Sequence, residues 1–459
     1  MTARPARLST ATKLAFGAGD LGPAIVSAIN GFFILDFLIN VAGLNPGVAG
    51  TVLLVVKIWD AVNDPIIGWL TDKTVSGMGR RRPWLLFGAL PFGLAFFLHW
   101  LVPPLGDDGK FWYYLIVALL LDTAYTAVNV PYTALTAELT QDYDERTNLS
   151  SFRFGFSILG SMLASFLHTQ IVGAFSTDPR TGNAVSIGLW SVVSVLGFVA
   201  TFLGTREPAR AVPTSTAEKE GPGFVAGLRI AFSNRPFVLV TIIYLLSWLT
   251  IQFVQNNIFI YARDWVGIEA RQFGFVLLTI QFSAFLWVLI WARVSERIGK
   301  KNVYYIGAVV FVLVLLGLFF VQRGQTTLVF VLSAVAGVGL SVGYLIPWSM
   351  LPDVIELDEL ETGQRREGVF YGFFVFLQKL GLSLGLFISG WVLEFAGYIP
   401  AEAGQPIPVQ PDNVLLALRL LVGPAGAAIL LLSFIAVYFY PLTKAKHAEI
   451  RAQLEARRK

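Results

Sequence analysis

The chain has 459 residues, of which 55% are hydrophobic and only 14% are charged. Long apolar runs recur along it, which predicts a polytopic helical membrane protein. Cysteine is absent, so disulfides, thiolate catalysis and cysteine-ligated metals are excluded. The net charge of +4 needs no nucleic-acid-binding surface to explain it, because the basic residues follow the membrane topology described below.

Apolar runs separated by turn residues and charges predict twelve membrane-spanning helices in an all-α fold. The first run carries Asp20, Asn30 and Asp36 after a polar, basic N-terminus, so we expect no cleavable signal. The predicted spans are residues 13–39, 47–72, 83–103, 111–138, 149–173, 185–204, 236–262, 272–296, 303–321, 327–351, 367–397 and 413–440.

Lysine and arginine are distributed unequally between the two sides of these spans. Of 34 such residues, 25 fall in the termini and the loops from even- to odd-numbered spans, against five in the opposite loops. Basic loops stay in the cytoplasm, so both termini are predicted to be cytoplasmic. Four cations lie within spans: Lys57, Arg153, Lys379 and Arg419.

The second span contains the segment KIWDAVNDPIIGW, which places Lys57, Asp60 and Asp64 on one helix face. A charge in hydrocarbon costs about 3 kcal/mol or more, so an intramembrane acid is presumed functional. Asp60, Asn63 and Asp64 offer carboxylate and amide oxygens that can replace the water of a monovalent cation. The alternative is that Lys57 and Asp60 form a buried structural ion pair.

The fourth span presents Thr126, Asn129 and Thr133 on one face. None of the three histidines, at positions 99, 168 and 447, lies near the intramembrane carboxylates in sequence. A histidine-centred proton relay or metal site is therefore not expected.

Related basic segments end the second and eighth spans, GWLTDKTVSGMGRRRPW at 68–84 and WARVSERIGKKN at 291–302. Their matched positions predict two six-helix halves, although two unrelated basic loops would give the same pattern. The predicted organisation is an N-terminal half with the cation site at 1–205, a cytoplasmic linker at 206–235, a C-terminal half at 236–443 and a basic tail at 444–459.

Four blocks of the sequence resemble the glycoside-pentoside-hexuronide:cation symporter family, to which melibiose permease belongs. The blocks are KIWDAVNDPIIGW, GMGRRRPW, NVPYTALTAELTQDYDERTNLSSFRF and IPWSMLPDVIELDE with REGVFYGFFVFLQKLG. The resemblance implies the major facilitator fold with two pseudo-symmetric halves. It also implies uptake of a sugar or other amphiphile, driven by sodium or proton entry through alternating access. Sodium-dependent lysophosphatidylcholine symporters share this resemblance, so it does not fix the substrate.

The resemblance assigns roles to individual residues. Asp60, Asn63, Asp64 and Thr126 match the family's cation ligands, with sodium expected at the two aspartates. Arg153 matches the arginine of the sugar pocket, and a snorkelling interfacial arginine is its alternative. Lys379 matches the lysine close to the cation site, so it is expected to take part in coupling together with Lys57.

In the substrate pocket the chain departs from the melibiose permease pattern at Ala24, Asn129 and Thr133. These positions lack two acids and an aromatic, which argues against an α-galactoside bound in that way. The expected substrate-binding residues are Arg153, Asn129, Thr133, Tyr125, Gln252, Asn256, Trp348 and Lys379. Further candidates are Tyr344, Tyr132 and Tyr371 for stacking and Gln255 and Gln378 for hydrogen bonds.

The basic loop after the second span resembles the superfamily's gating loop, which makes Asp72, Arg80 and Arg81 gating candidates. Glu145, Asp353 and Glu356 are candidates for the complementary charges. Simple orientation signals and solvated charge runs are the alternatives. Asp20, between glycines in GAGDLG, is expected to serve packing or gating as readily as binding.

The sequence therefore predicts a monomeric secondary active symporter of the cytoplasmic (inner) membrane that couples sodium or proton entry to uptake of a sugar or glycoside. Two alternatives remain: a symporter of a lysophospholipid or other amphiphile, and a non-transporting sensor or scaffold with a transporter fold. No nucleophile–base set or cofactor motif supports an enzyme, and no cofactor is expected beyond the coupling ion. The expected partners are the small-molecule substrate and the lipid bilayer.

Overall fold

The computed structural model describes residues 8–140, 142–207, 224–364, 366–401 and 407–458. Within these ranges the chain forms sixteen α-helices and no β-strand, which confirms the all-α prediction. The helices are α1 Thr10–Ala18, α2 Leu21–Asp36, α3 Pro46–Lys73, α4 Arg82–His99, α5 Asp107–Leu139, α6 Tyr143–Ala174, α7 Pro179–Gly204, α8 Phe224–Ser233, α9 Arg235–Tyr261, α10 Ala270–Ile298, α11 Lys300–Phe320, α12 Thr326–Thr362, α13 Glu367–Ala396, α14 Asp412–Leu420, α15 Gly426–Phe439 and α16 Lys444–Arg458.

Eleven helical segments of the described chain are long and apolar enough to cross a bilayer. Three of them contain a π-helical turn: Phe37–Val41 follows α2, Ala262–Val266 follows α9, and Leu421–Ala425 joins α14 to α15. The predicted third span corresponds to α4, which is 18 residues long. It is not among these eleven, because its 18 residues include Arg82 and His99 at the two ends, which lower its mean hydropathy.

Helix ends follow local signals in the sequence. Asn234 caps α9 by accepting a hydrogen bond from the Phe237 amide over 3.0 Å, and Asp178 caps α7 in the same way. Each of these helices has proline in its first turn, where a missing amide proton costs nothing. Gly299 separates α10 from α11 with φ of 82°, a conformation that glycine adopts without strain.

The chain divides into two compact units. The described part of the first unit comprises residues 8–140, 142–207, 269–275, 390–401 and 407–410. In it α3 packs against α5, α4 packs against α5 and α7, and α2 packs against α6. The contact between α3 and α5 brings together the two helices that carry the predicted cation ligands.

The described part of the second unit comprises residues 224–268, 276–364, 366–389 and 411–458. Here α9 packs against α12 and α15, α11 packs against α12, and the tail helix α16 packs against α12. The hydroxyl of Tyr304 lies 2.6 Å from Ser247 Oγ and 2.7 Å from Ser433 Oγ, which ties α9, α11 and α15 together in the core. Most of the predicted linker, residues 208–223, lies outside the described residues.

Candidate functional site

Charged and polar side chains from α3 and α5 meet inside the first unit. α3 contributes Lys57, Asp60 and Asp64, and α5 contributes Asp122 and Thr126, which are one helical turn apart. We call these five residues the α3–α5 cluster. Asp60, Asp122 and Thr126 are buried, and Asp64 is half-buried.

Asp64 is held by the neighbouring helix. Thr126 Oγ1 donates a hydrogen bond to Asp64 Oδ1 over 3.0 Å. The hydroxyl oxygen keeps its lone pairs, so a cation beside Asp64 can be bound by a carboxylate and a hydroxyl at the same time. Asn63, one residue before, is 2% exposed, and its amide Nδ2 has no hydrogen-bond partner in the described part of the chain.

Lys57 lies between two carboxylates rather than one. Its Nζ is 3.3 Å from Asp60 Oδ2 and 3.5 Å from Asp122 Oδ1. The ion pair between Lys57 and Asp60 therefore exists, as the structural alternative predicts. Asp60 thus contacts an ammonium within its own helix, whereas Asp64 accepts a hydrogen bond from the Thr126 hydroxyl of α5.

Pro65 follows Asp64 inside α3. Proline has no amide proton, so the carbonyl of Ala61, four residues earlier, loses its usual helical donor. A carbonyl oxygen on the turn between Asp60 and Asp64 adds a neutral ligand to the oxygens available there. The chemistry of this segment suits a hard cation, because its donors are oxygens and none is sulfur or imidazole.

Arg153 pairs with Asp20. Its Nε lies 3.0 Å from Asp20 Oδ1, and the guanidinium carbon is 5.4 Å from the centre of the Tyr132 ring. The Asp20 side chain is 6% exposed and that of Arg153 is 26% exposed. The guanidinium is thus fixed by an acid of the first span while part of it remains accessible.

The other polar residues predicted on the fourth span have different surroundings. Asn129 is half-buried, and its Oδ1 has no hydrogen-bond partner among the described residues. The Thr133 hydroxyl donates to the Val130 carbonyl of its own helix over 2.9 Å. Tyr125 is half-buried, and Tyr132 donates to the Phe16 carbonyl over 2.8 Å. Asn129 is therefore the member of this face whose acceptor atom is left for a ligand.

The predicted C-terminal binding residues all lie in the second unit. Gln252 and Asn256 are each 2% exposed on α9, and neither polar side-chain atom of Asn256 has a hydrogen-bond partner within the described ranges. Gln255, Gln378 and Lys379 are half-buried. Lys379 lies on α13, and its carbonyl accepts the Ser383 hydroxyl over 3.0 Å.

Aromatic side chains form a group on α9, α12 and α13. Trp348 Nε1 donates to the Tyr244 hydroxyl over 3.0 Å, and the Trp348 ring lies 6.3 Å from that of Tyr371. Trp248 lies 5.3 Å from Tyr344. Trp348 and Tyr344 are 37% and 39% exposed, so each keeps an apolar ring surface that can stack on a ligand.

The gating candidates of the first unit form ion pairs with one another. Arg81 pairs with Asp72 and donates to the Thr71 hydroxyl, and Arg80 pairs with Glu138 at the end of α5. The hydrogen bond to Glu138 raises the pKa of the Arg80 guanidinium above its ordinary value. Glu145 pairs instead with Lys13, at 2.9 Å.

The gating candidates of the second unit also have partners within that unit. Lys300 Nζ lies 2.8 and 2.6 Å from the two carboxylate oxygens of Asp353. His447 Nε2, on the tail helix, lies 2.8 Å from Glu356 Oε2. His447 is 91 positions from Glu356 in sequence, and the packing of α16 on α12 brings the two side chains together.

The sequence analysis missed two acids of the first unit. Asp122 lies in the apolar run LLLDTAY and could have been found by the rule that singled out Asp60. Glu207 has no sequence signal of its own. Its carboxylate accepts hydrogen bonds from the amides of Arg80, Arg81 and Arg82 at 2.6, 2.8 and 2.8 Å, where α4 begins.

Comparison with known proteins assigns the family. The model of the family described as MFS/sugar transport protein matches residues 15–444. The chain belongs to this family. Members of the MFS/sugar transport family are membrane transporters of the major facilitator superfamily, so the predicted family and fold class are both confirmed.

Relatives over the whole chain are symporters. The chain is 40% identical to the symporter sll1374 of Synechocystis sp., covering 98% of this chain and 97% of the relative. It is 30% identical to the sodium-dependent lysophosphatidylcholine symporter 1-A of Danio rerio, covering 98% and 89%. It is also 30% identical to the inner membrane symporter YicJ of Escherichia coli, covering 97% and 95%.

Solved structures of more distant transporters share the fold. The nucleoside transporter NupG aligns with a TM-score of 0.65 at 15% identity, covering 94% of this chain and 100% of NupG. The inward-open xylose transporter XylE aligns with a TM-score of 0.60 at 14% identity, covering 96% and 98%. At these identities the likeness concerns the fold alone.

Proposed function

We propose that the protein is a secondary active symporter that couples sodium entry to uptake of a small molecule by alternating access. The observation that carries this proposal is the hydrogen bond between Thr126 and Asp64 beside the buried Asp60. It gathers carboxylate and hydroxyl oxygens in a bilayer-spanning segment where charge is otherwise costly. The symporter relatives named above support the same class of function.

Sodium is preferred to the proton as the coupling ion. A proton needs a single basic oxygen, whereas sodium needs several oxygen ligands at once, and the α3 segment supplies Asp60, Asp64 and the carbonyl freed by Pro65. The Danio rerio relative is named as sodium-dependent. In this proposal Asn63 and Thr126 complete the ligand set, and Lys57 and Lys379 couple ion occupancy to the substrate.

A sugar or glycoside is the proposed substrate. Hydroxyl groups require oriented donors and acceptors together with one apolar face. The second unit offers Asn256, whose amide has no hydrogen-bond partner within the described ranges, and the exposed ring of Trp348. We propose that these residues act with Arg153, Asn129, Thr133, Tyr125, Gln252 and Lys379.

A lysophospholipid is the second candidate. The observation in its favour is the 30% identity to a lysophosphatidylcholine symporter over 98% of this chain. Arg153 suits a phosphate as well as a hydroxyl pair, because its planar fork can donate two hydrogen bonds. The 37 phenylalanines of the chain supply apolar surface that an acyl tail would need.

The gating proposal concerns charged residues in each unit. These residues are proposed to stabilise one conformation of the transport cycle and to exchange partners in another. They are Asp72, Arg80, Arg81 and Glu145 in the first unit and Asp353 and Glu356 in the second. Ion pairs that involve partly exposed side chains contribute little stability each, so they can be exchanged during a transport cycle.

We propose that both termini face the cytoplasm of an inner-membrane protein that works as a monomer. Because the chain has no cysteine, a single introduced cysteine reports its own side of the membrane. Gly77 and Gly106 have no atom within 4 Å of an added Cβ, so both accept cysteine without a clash. A membrane-impermeant maleimide applied to intact cells should label Gly106→Cys and not Gly77→Cys; the reverse would invert the topology.

Transport is tested with the purified full-length protein in proteoliposomes. Radiolabelled hexoses, pentoses, hexuronides and methyl glycosides are offered with an inward gradient of sodium, or of choline as the control. We expect one of these compounds to accumulate only with sodium. Equal accumulation driven by a proton gradient without sodium would show that the coupling ion is the proton. Absence of any sodium response or flux would favour a sensor or scaffold.

The same vesicles distinguish the two substrates. Labelled glycoside uptake is measured with increasing unlabelled lysophosphatidylcholine, and labelled lysophosphatidylcholine uptake is measured against empty liposomes to remove passive partition. Sodium-stimulated uptake of the lipid with no uptake from the sugar panel would overturn the sugar proposal. It would leave the proposed cation site unchanged.

A further inference from the structure

Asp122 is a buried acid to which the proposed transport mechanism has so far given no role. It lies on α5, one helical turn before Thr126, and its side chain is 6% exposed. The resemblance that assigns Asp60, Asn63, Asp64 and Thr126 gives it no role. An acid at this depth costs free energy, so its retention calls for a partner or a function.

The partner is the Lys57 ammonium. Lys57 Nζ lies 3.5 Å from Asp122 Oδ1 and 3.3 Å from Asp60 Oδ2, so one cation is shared between a carboxylate on each helix. The two distances are nearly equal. A small rotation of the flexible lysine side chain is enough to move the ammonium wholly to either acid.

A sodium ion at Asp60 and Asp64 would disturb this sharing. It would stand beside the ammonium, and like charges repel strongly where the surroundings are poorly polarisable. The ammonium must then leave Asp60. Asp122 is the second carboxylate already in its reach, and at 6% exposure this acid itself needs a cation.

We propose that Asp122 is a positioning residue that receives the Lys57 ammonium when sodium binds Asp60 and Asp64. This inference rests on the proposed sodium-coupled function. Lys57 acts as a tethered cation that rests partly on Asp60 in the empty site and moves to Asp122 in the occupied one. Asp122 thereby sets the sodium concentration at which the site fills, without touching the ion.

The proposal predicts a specific dependence between two substitutions. In Asp122→Asn the ammonium loses its second carboxylate and stays on Asp60, where it competes with sodium. In Lys57→Met there is no ammonium for Asp122 to receive. The charge of Asp122 should then have little effect on sodium affinity. Coupling between two such sites typically changes affinity by about 5- to 150-fold.

The test measures the sodium concentration that gives half-maximal thermal stabilisation of the purified full-length protein. NaCl replaces choline chloride at constant ionic strength, and the variants are Asp122→Asn, Lys57→Met, the double variant and Asp122→Glu. The matched control is Asp36→Asn, because Asp36 is equally buried, 7% exposed, but accepts from Asn40 over 2.7 Å instead.

We expect Asp122→Asn to raise the half-maximal sodium concentration on the order of tenfold. Lys57→Met should lower it, and adding Asp122→Asn to Lys57→Met should change it less than about twofold. Asp122→Glu should restore a value near wild type, and Asp36→Asn should leave it unchanged. If Asp122→Asn alone proves too unstable to purify, Lys57→Met still tests the inference, because an unchanged or raised sodium requirement in that variant would overturn it.

Three results overturn the inference. An unchanged sodium requirement in Asp122→Asn would make Asp122 a structural acid. An equal loss in the Lys57→Met background would make it a direct ligand of the ion. A wild-type protein that sodium does not stabilise at all would instead remove the proposed function, and the inference with it, so the two failures are distinguishable.

Discussion

Asp60 and Asp64 lie one helical turn apart on α3, yet they have partners of opposite character. Asp60 contacts the Lys57 ammonium over 3.3 Å, whereas Asp64 accepts a hydrogen bond from the neutral Thr126 hydroxyl over 3.0 Å. The charge of Asp60 is therefore partly balanced from within the protein. Asp64 keeps a hydroxyl oxygen beside its carboxylate, so an incoming cation meets two kinds of oxygen ligand there.

The first prediction concerns these two acids. Asp64→Asn should abolish sodium-driven accumulation in proteoliposomes, because one anionic oxygen is lost while the size of the side chain is kept. Asp60→Asn should also abolish it. Both variants should purify as folded protein with a melting temperature close to that of wild type in choline. Wild-type accumulation by both variants would refute the site assignment.

The second prediction concerns the hydroxyl beside Asp64. Thr126→Val should raise the half-maximal sodium concentration on the order of tenfold, as the loss of one hydrogen-bonding ligand worth about 1 kcal/mol or slightly more implies. Thr123→Val is the matched control, because that hydroxyl accepts from Trp59 and donates to the Leu119 carbonyl. Equal effects of the two substitutions would show that Thr126 acts only through the helix contact.

The third prediction concerns Lys379, which we expect to hold the acids charged in the empty carrier. Lys379→Ala should depress transport far more than it depresses the melting temperature. Arg419→Ala is the contrasting control, because Arg419 donates to the Phe319 carbonyl over 2.7 Å and stacks on Trp265. That variant should lose stability while its sodium requirement stays near wild type. A Lys379→Ala protein with normal transport would exclude the lysine from coupling.

The fourth prediction concerns Glu207. Its carboxylate accepts three backbone amides where α4 begins, at 2.6 to 2.8 Å, and an anion at a helix N-terminus is stabilising. Glu207→Ala should destabilise the protein by about 1–3 kcal/mol, measured as a lower melting temperature and denaturant midpoint. Glu449→Ala is the control, because the contacts of Glu449 with Lys446 and Gln453 are exposed. Equal stability of the two variants would contradict the capping role.

Much of the fold and part of the site followed from the sequence for a simple physical reason. Charges are scarce in bilayer-spanning helices, so Lys57, Asp60 and Asp64 were conspicuous, and helical spacing put them on one face. The same two rules applied to Asp122 would have added it to the cluster, since it stands in an apolar run four residues before Thr126.

Other contacts could not be found from local patterns. Glu207 reaches the start of α4 across more than 120 positions of chain, and His447 reaches Glu356 across 91. Such contacts depend on how whole helices pack. The docking of α16 has one weak signal in the sequence. Ile450 and Leu454 are apolar residues four positions apart in an otherwise polar tail, and both are buried.

Equilibrium binding of ²²Na⁺ to the purified protein tests the central claim most directly, because it requires no knowledge of the substrate. Wild type should show saturable binding that unlabelled sodium displaces and choline does not. The Asp60→Asn, Asp64→Asn double variant should show none, while Asp36→Asn binds as wild type does. Saturable binding of equal affinity in the double variant would contradict the assignment of the sodium site to α3.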